Sequence, residues 1–472
     1  MSQIQIKTFL HFSIFFLAIV LLFFHLGRTY LVSFDEAYYA VMAKEMVKNH
    51  DPLTLTFGGE KFFAASPMYI WLEALWFKFL GVSEFGVRFF SAASSFLLLL
   101  AVYYYLKITK VPEIFPIVFL VLFSIPKFLY LSRIGNVDAT LTLFTTVSFL
   151  AAELAIIKAM PKMLLLWGTS AALAFYTKGI FGLFPIATLL LFILIFRRSL
   201  LRSKYLYLGL LIFFLFIIPW NFFQIYINGK DFLQGFYGGY MATKFAPISL
   251  YNRFWWFASL WQAMKLWFPV SLFILLYGIY SKNLRSRMLF LVFAILLYCS
   301  LLSFVRTQND WYLMPVYPLF AMVIACVFYT FFQLPRFTHL KPFFLAFIVI
   351  IAVFQDVHYF NQYVLPQTTD AQVNILRRAE EISKPGQPIL LDDYYFPVAT
   401  FYSSQSIIAL RANRDPSAAV PAELLNKKLS QGSVVLSNST TLESLRMASV
   451  YSLVIEKEIG ELILLRPVTP KI

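Results

Sequence analysis

The sequence predicts an α-helical polytopic membrane protein of about eleven spans, with outer interfacial helices and a small C-terminal α/β domain. Three observations predict it. Hydrophobic residues make up 60% of the 472 and charged residues only 13%, with 54 Phe and 27 Tyr, a balance that a soluble globular domain of this length would not keep in solution. Apolar runs of about 20 residues, enough to cross a bilayer core, recur up to about residue 356. Beyond about Asn361 the composition turns ordinary, with short apolar stretches among charged ones.

Candidate spans lie near 9–27, 87–106, 114–131, 139–157, 163–177, 180–196, 205–220, 264–281, 288–304, 312–332 and 341–356. Their connections test the count, because cytoplasmic loops collect Lys and Arg. Starting from Lys7, the basic residues fall on alternate connections: Lys107 and Lys110, Lys158 and Lys162, Arg197 to Lys204, Lys282 to Arg287, then Arg336 and Lys341. An odd number of spans then puts everything after about 357 on the outer side. The same loops account for the formal net charge of +15, and there is no basic tract of the kind that binds nucleic acid. The first stretch, Phe9 to Leu26, has no small-residue cleavage site before Arg28 and reads as a retained helix. Cys299 and Cys326 sit in apolar runs and read as small core residues rather than a disulfide or thiolate site. No nucleotide-binding glycine loop and no short-period repeat is present in the sequence.

The outer connections differ in kind from the inner ones. Residues 28–86 are long and mixed, 132–138 short and polar, 221–263 long and aromatic, and 305–311 compact. Within the first, Asp35 to Asn49 has helical spacing and Pro67 to Leu80 is opened by proline and closed by Gly81, so both read as helices lying in the interface. The tryptophans and tyrosines of 251–267 read as interface anchors, with stacking on a sugar as the alternative. After residue 361, RRAEEISKPG reads as a helix closed by a turn, and PILLDD, IIALRA, SVVLSN and ELILLRP as short strands. The domains are therefore expected as 1–356 in the membrane, with outer loops 28–86 and 221–263, and 357–472 as a small soluble outer domain.

A few charged residues break the pattern on the outer side. Asp35 and Glu36 follow the first span, where acidic residues also complement a helix N-terminus. Asp138 stands at the mouth of the fourth span, where an Asp also serves as a cap. Lys178 interrupts AFYTKGIFGLFP, and Arg306 stands in SFVRTQNDWYLMPVYP. Cations at membrane depth are costly and call for an anionic partner, unless they snorkel to headgroups. Carboxylates and cations converging from separate helices suit a reaction on a lipid phosphate, in which the cations stabilise charge on the leaving phosphate and a carboxylate takes a proton from an incoming hydroxyl.

These residues resemble the GT-C membrane glycosyltransferases that use polyprenyl-phosphate sugars, especially the lipid A aminoarabinose transferase and dolichyl-phosphate-mannose protein mannosyltransferase group. The resemblance runs from about Thr29 to Ala321 and rests on DEAYYAVMAKEM, PMYIWLEALWFKFLGVSEFGVRFFSA, NVDATLTLF, YTKGIFGLFP, IIPWNFF and SFVRTQNDWYLMPVYPLFAM, in that order. It implies that Asp35 acts on the acceptor nucleophile and that Asp138 is the second acidic residue. It further implies that Lys178, Arg306 and Tyr312 face the donor phosphate. Arg88 matches a family arginine on the donor side, although a headgroup anchor explains it equally well, and Glu36 has a supporting part.

The chain also departs from that family. Where aminoarabinose transferases carry an acidic and a basic residue before the proline of the first outer loop, FFAASP has Ala64 and Ala65. The cation before the tyrosine segment is replaced by Gln308, and Met241 replaces a histidine that can join the acidic residue on a metal. No zinc site of that type is expected, and no cofactor is required. A divalent cation on Asp35, Glu36 or Asp138 is compatible with the chemistry, though Lys and Arg can supply the positive charge. The resemblance implies an inverting transfer from a polyprenyl-phosphate-linked sugar, in the bacterial inner (plasma) membrane with the site on the periplasmic side, to a lipid, glycan or protein acceptor. A transporter or flippase using the same charges as a substrate path, and a non-catalytic relative, are the alternatives.

Overall fold

The structure is a computed structural model and describes residues 3–31, 34–242, 253–272, 282–333, 341–363, 370–392, 396–411 and 419–470. Among these, six helices are long and apolar enough to cross a membrane, and shorter apolar helices accompany them. The chain is a multi-pass integral membrane protein.

Gln3–Phe23 forms α1. The two interfacial helices follow as α2 (Phe34–Asn49) and α3 (Met68–Leu80), separated by a hairpin of β1 (Thr56–Phe57) and β2 (Glu60–Lys61). α3 ends on Gly81, whose φ of 83° suits a residue without Cβ. α4 (Glu84–Ile108) starts at Ser83, whose hydroxyl accepts from the Gly86 amide.

The expected span 114–131 is not one helix. It breaks into α5 (Phe115–Phe123) and α6 (Pro126–Leu131), because Pro126 has no amide to give and the Ser124 hydroxyl bonds back to the Leu120 carbonyl at 2.5 Å. Neighbouring helices satisfy the break. The Trp267 indole donates to Ser124 Oγ at 2.8 Å, and the Gln355 amide donates to the Ser124 carbonyl at 2.6 Å.

α7 (Val137–Ile157), α8 (Met163–Lys178), α9 (Phe184–Phe196) and α10 (Lys204–Phe232) follow. α8 and α10 cross closely: a Cβ on Gly168 would come within 2.0 Å of the Gly209 carbonyl oxygen. α10 runs beyond the expected end near 220, through a kink at Gly229 (φ 52°). The expected span 264–281 runs into residues outside those described, as does part of the connection 221–263. Helices Lys282–Leu302, Tyr317–Gln333 and Lys341–Tyr363 stand where the last three spans are expected.

The C-terminal domain opens with helix Asp370–Ile382. Its sheet contains β3 (Ile389–Asp392), β4 (Ile407–Ala409), β5 (Val435–Asn438), β6 (Tyr451–Ile459) and β7 (Leu462–Pro470), in the order β4-β3-β5-β7-β6. β3 is parallel to both β4 and β5, and the β5–β7 and β6–β7 pairs are antiparallel. Four of these strands are the expected ones. β6 was not expected, because YSLVIEKEI buries only Leu453 and lacks a clean apolar alternation. Along β3 the side chains divide with period two: Ile389 and Leu391 face one core and Leu390 the other.

The first of those cores is shared with the membrane part. Ile389, Leu391, Leu436, Val398 and Phe401 lie in the same buried cluster as Ala37, Ala40 and Val41 of α2. α2 is therefore held between the helical bundle and the sheet domain.

Candidate active site

The first turn of α2 carries Asp35 and Glu36, and a helix turns adjacent residues about 100° apart, so they face different surroundings. Asp35 is half-buried, and its charge reaches both Tyr39, one turn along α2, and Asp138. Burial, joined by the Asp35 charge, pushes the Tyr39 phenol well above its ordinary range.

Glu36 points into the bundle and is fully buried. It accepts from Arg88 Nε at 2.7 Å, from Arg88 Nη2 at 3.0 Å and from the Gly135 amide at 2.8 Å. Arg88 completes its fork on the carbonyls of Leu26 (2.9 Å), Thr29 (3.0 Å) and Tyr30 (2.9 Å). All the guanidinium nitrogens are thus engaged within the protein, and the geometry gives Arg88 to the packing of α1, α2 and α4 rather than turning it toward a ligand. Glu36 in turn links the turn bearing Asp35 to the backbone three residues before Asp138.

At the start of α7 the cap is Asn136, whose side chain accepts from the Asp138 amide at 3.0 Å. The Asp138 carboxylate is therefore free of capping and meets Lys178, the last residue of α8, with Nζ 2.5 Å from Oδ1. Both side chains are buried. Gly179 follows with φ 52°, a left-handed conformation that ends α8. The Lys178 ammonium also lies over two rings, 4.5 Å from the Tyr312 centroid and 5.7 Å from that of Phe181. The Tyr312 hydroxyl pairs with Thr307 Oγ1 and accepts from Asn309 Nδ2, both at 3.2 Å.

Asp35, Asp138, Lys178 and Tyr312 thus gather at one end of the bundle. Arg306 stands apart as an exposed side chain with no ion pair among the described residues. Sequence reasoning passed over two further groups here. Lys127 on α6 lies 2.8 Å from Asp310, which opens the 3-10 helix Asp310–Val316 that carries Tyr312. Arg133 donates to the carbonyls of Leu22 (3.0 Å) and Phe24 (2.7 Å), where the last turn of α1 leaves acceptors open. The rule that drew attention to Lys178, a cation at a span mouth needing a partner, would have found both.

The positions where the resembled family holds zinc do not fit a metal here. Met241 packs against Gly179, where a Cβ would meet its Cε at 2.9 Å. Ala64 offers no ligand atom, and among the described residues no three His, Cys, Asp or Glu side chains converge.

A helical bundle with a small C-terminal sheet domain and buried charges at one end is shared with membrane proteins of the GT-C glycosyltransferase fold. The model of the family described as dolichyl-phosphate-mannose-protein mannosyltransferase matches residues 64–223. Among solved structures, ArnT from Cupriavidus metallidurans bound to undecaprenyl phosphate superposes with a TM-score of 0.81 at 15% identity, covering 97% of this chain and 98% of that one. The Archaeoglobus fulgidus oligosaccharyltransferase in complex with Zn and sulfate gives 0.58 at 13% identity, over 96% of this chain and 72% of that one. Two uncharacterized proteins of Aquifex aeolicus (strain VF5) are 29% identical over 308 residues and 31% identical over 214. The matches cover 64% and 44% of this chain and span only 60% and 47% of the length of those two curated relatives. The resemblance read from the motifs is therefore matched by both the family model and the fold.

Proposed function

We propose that this chain transfers a sugar from a polyprenyl-phosphate donor to a hydroxyl or phosphate of a lipid, glycan or protein acceptor at the outer face of the membrane, with inversion at the sugar carbon. The observation that carries the reading is the buried Asp138–Lys178 pair, 2.5 Å across, lying on the Tyr312 ring within electrostatic reach of Asp35. A cation held in a water-poor mouth stabilises charge growing on a leaving phosphate far better than one in water. The likeness to a fold recorded with undecaprenyl phosphate supports a donor of that class.

In this reading the acceptor oxygen bonds to the anomeric carbon while the bond from that carbon to the phosphate oxygen breaks. The electron pair leaves with the polyprenyl phosphate, and the acceptor proton goes to the Asp35 carboxylate. Lys178 receives the phosphate charge, Asp138 orients Lys178, and Tyr312 fixes the ammonium from below. Glu36 and Arg88 hold the two carboxylate-bearing elements in register. Arg306, exposed near the mouth, attracts the anionic headgroup before it docks. The positive charge comes from Lys178, so the reading requires no metal. The setting proposed is a bacterial inner membrane with the site on the periplasmic side.

Asp35→Asn in the full chain tests it. Mass spectrometry of envelope lipids, glycans and secreted proteins, with and without the gene, identifies the modified product. The variant is expected to lower that product at least a hundredfold while binding undecaprenyl phosphate in lipid vesicles within twofold of wild type. Unchanged product would overturn Asp35 as the base.

A further inference from the structure

The stretch from Leu26 to Leu31 joins α1 to α2, and whatever fixes it sets where the Asp35-bearing turn begins. On the bundle side Arg88 holds the carbonyls of Leu26, Thr29 and Tyr30. The other side is held by a residue distant in sequence. Tyr402 ends the helix Phe396–Tyr402 of the sheet domain. Its hydroxyl accepts from the Leu31 amide at 2.8 Å and donates to Glu84 Oε1 at 3.1 Å. A phenol that accepts from one side and donates to the other has a single orientation. Its ring meets Tyr30 edge-on, 5.3 Å between centroids.

The same helix grips α2 further along. Lys44 Nζ donates to the Phe401 carbonyl at 3.0 Å, and Phe401 itself lies in the core shared with α2. The end of one short helix of the sheet domain therefore touches both the entry to α2 and its second half.

We propose that Tyr402 is a positioning residue for sugar transfer: by tying the Leu31 amide to Glu84 it sets the entry into α2, and with it the placement of Asp35 relative to the Asp138–Lys178 pair. The proposal rests on the reading of Asp35 as the base. It makes the sheet domain a brace for the catalytic turn. Reactions that depend on oriented groups lose rate steeply when a reacting atom is displaced by about 1 Å.

Tyr402→Phe keeps the ring against Tyr30 and removes both hydrogen bonds. In the full chain in lipid nanodiscs, amide exchange across 29–37 is expected to rise about tenfold, with 137–157 unchanged. Undecaprenyl phosphate affinity should stay within twofold, while product formation falls about tenfold. A loss of rate without a loss of donor-lipid binding is what separates positioning from a general structural defect. Glu84→Gln, which keeps the accepting oxygen, should behave as wild type, and Glu84→Ala should raise exchange to an intermediate level. Glu84→Ala also serves if Tyr402→Phe fails to accumulate. Unchanged exchange overturns the proposal, as does raised exchange with unchanged product formation. If Asp35→Asn leaves product unaltered, the catalytic reading fails separately, and exchange in Tyr402→Phe still decides whether the brace exists.

Discussion

Two buried carboxylate–cation pairs sit close together at the mouth of this bundle, and they differ in how their remaining hydrogen-bonding capacity is used. Glu36–Arg88 is saturated: the carboxylate also accepts from the Gly135 amide, and the guanidinium also serves the carbonyls of Leu26, Thr29 and Tyr30. Asp138–Lys178 meets at one contact of 2.5 Å, and the ammonium is otherwise surrounded by the faces of Tyr312 and Phe181. A saturated pair holds elements together, whereas a cation enclosed by rings keeps N–H groups for an incoming anion. Burial alone does not distinguish structural charge from functional charge. The identity of the third and fourth neighbours does.

The largest expected effect tests the saturated side. Arg88→Met leaves Glu36 buried without its cation and strips three carbonyls of their donor. Losing one partner of a buried pair costs about 3–5 kcal/mol, so the variant should accumulate poorly and melt well below wild type. Thermal unfolding in nanodiscs measures this. A melting point equal to wild type would erase the distinction between the two pairs.

Lys178→Met tests the other side and should read out mainly in binding. Undecaprenyl phosphate affinity is expected to fall at least tenfold, about 1.4 kcal/mol. The double variant Lys178→Met with Asp138→Asn removes the stranded carboxylate, so it should recover stability without recovering binding. If the double variant regains affinity, Lys178 is a structural cation like Arg88.

How much of this was legible in the sequence follows from the range of each interaction. α2 and α3 were readable because their signals are local: helical spacing after the first span, and a proline and a glycine bracketing Met68–Leu80. Lys178 stood out because an apolar context makes a cation costly, which predicts a partner without naming it. That the partner is Asp138, 40 residues away, and that Glu36 meets Arg88, 52 residues away, depends on which helix faces touch. Arg88 was for that reason read toward the donor, when its neighbours are the Glu36 carboxylate and main-chain carbonyls. The break at Ser124 was hidden because the run through α5 and α6 is apolar apart from Ser124 and Lys127, and only Pro126 hinted at it. Tyr402 carries no local signal at all, since its bond to Leu31 spans 371 residues.

Glu73 extends the comparison to a carboxyl that has no cation partner among the described residues. It lies on α3, fully buried, and neither carboxyl oxygen has a hydrogen-bond partner among the described residues. Burial, and after it the Glu36 charge, pushes its carboxyl well above the ordinary carboxylate range. The folded protein therefore keeps a proton here that the unfolded chain releases above about pH 4.3. The stability this contributes is full below that pH and is lost as pH rises toward the folded value. Glu73→Gln cannot ionise and should remove that slope. Between pH 5 and pH 8 the wild type should therefore lose more stability than the variant. Melting of both proteins at the two pH values measures the difference, and contributions from other groups cancel in it. Parallel pH slopes would mean that Glu73 is paired in the folded protein, and the series from saturated to unpaired carboxylate would lose its last member.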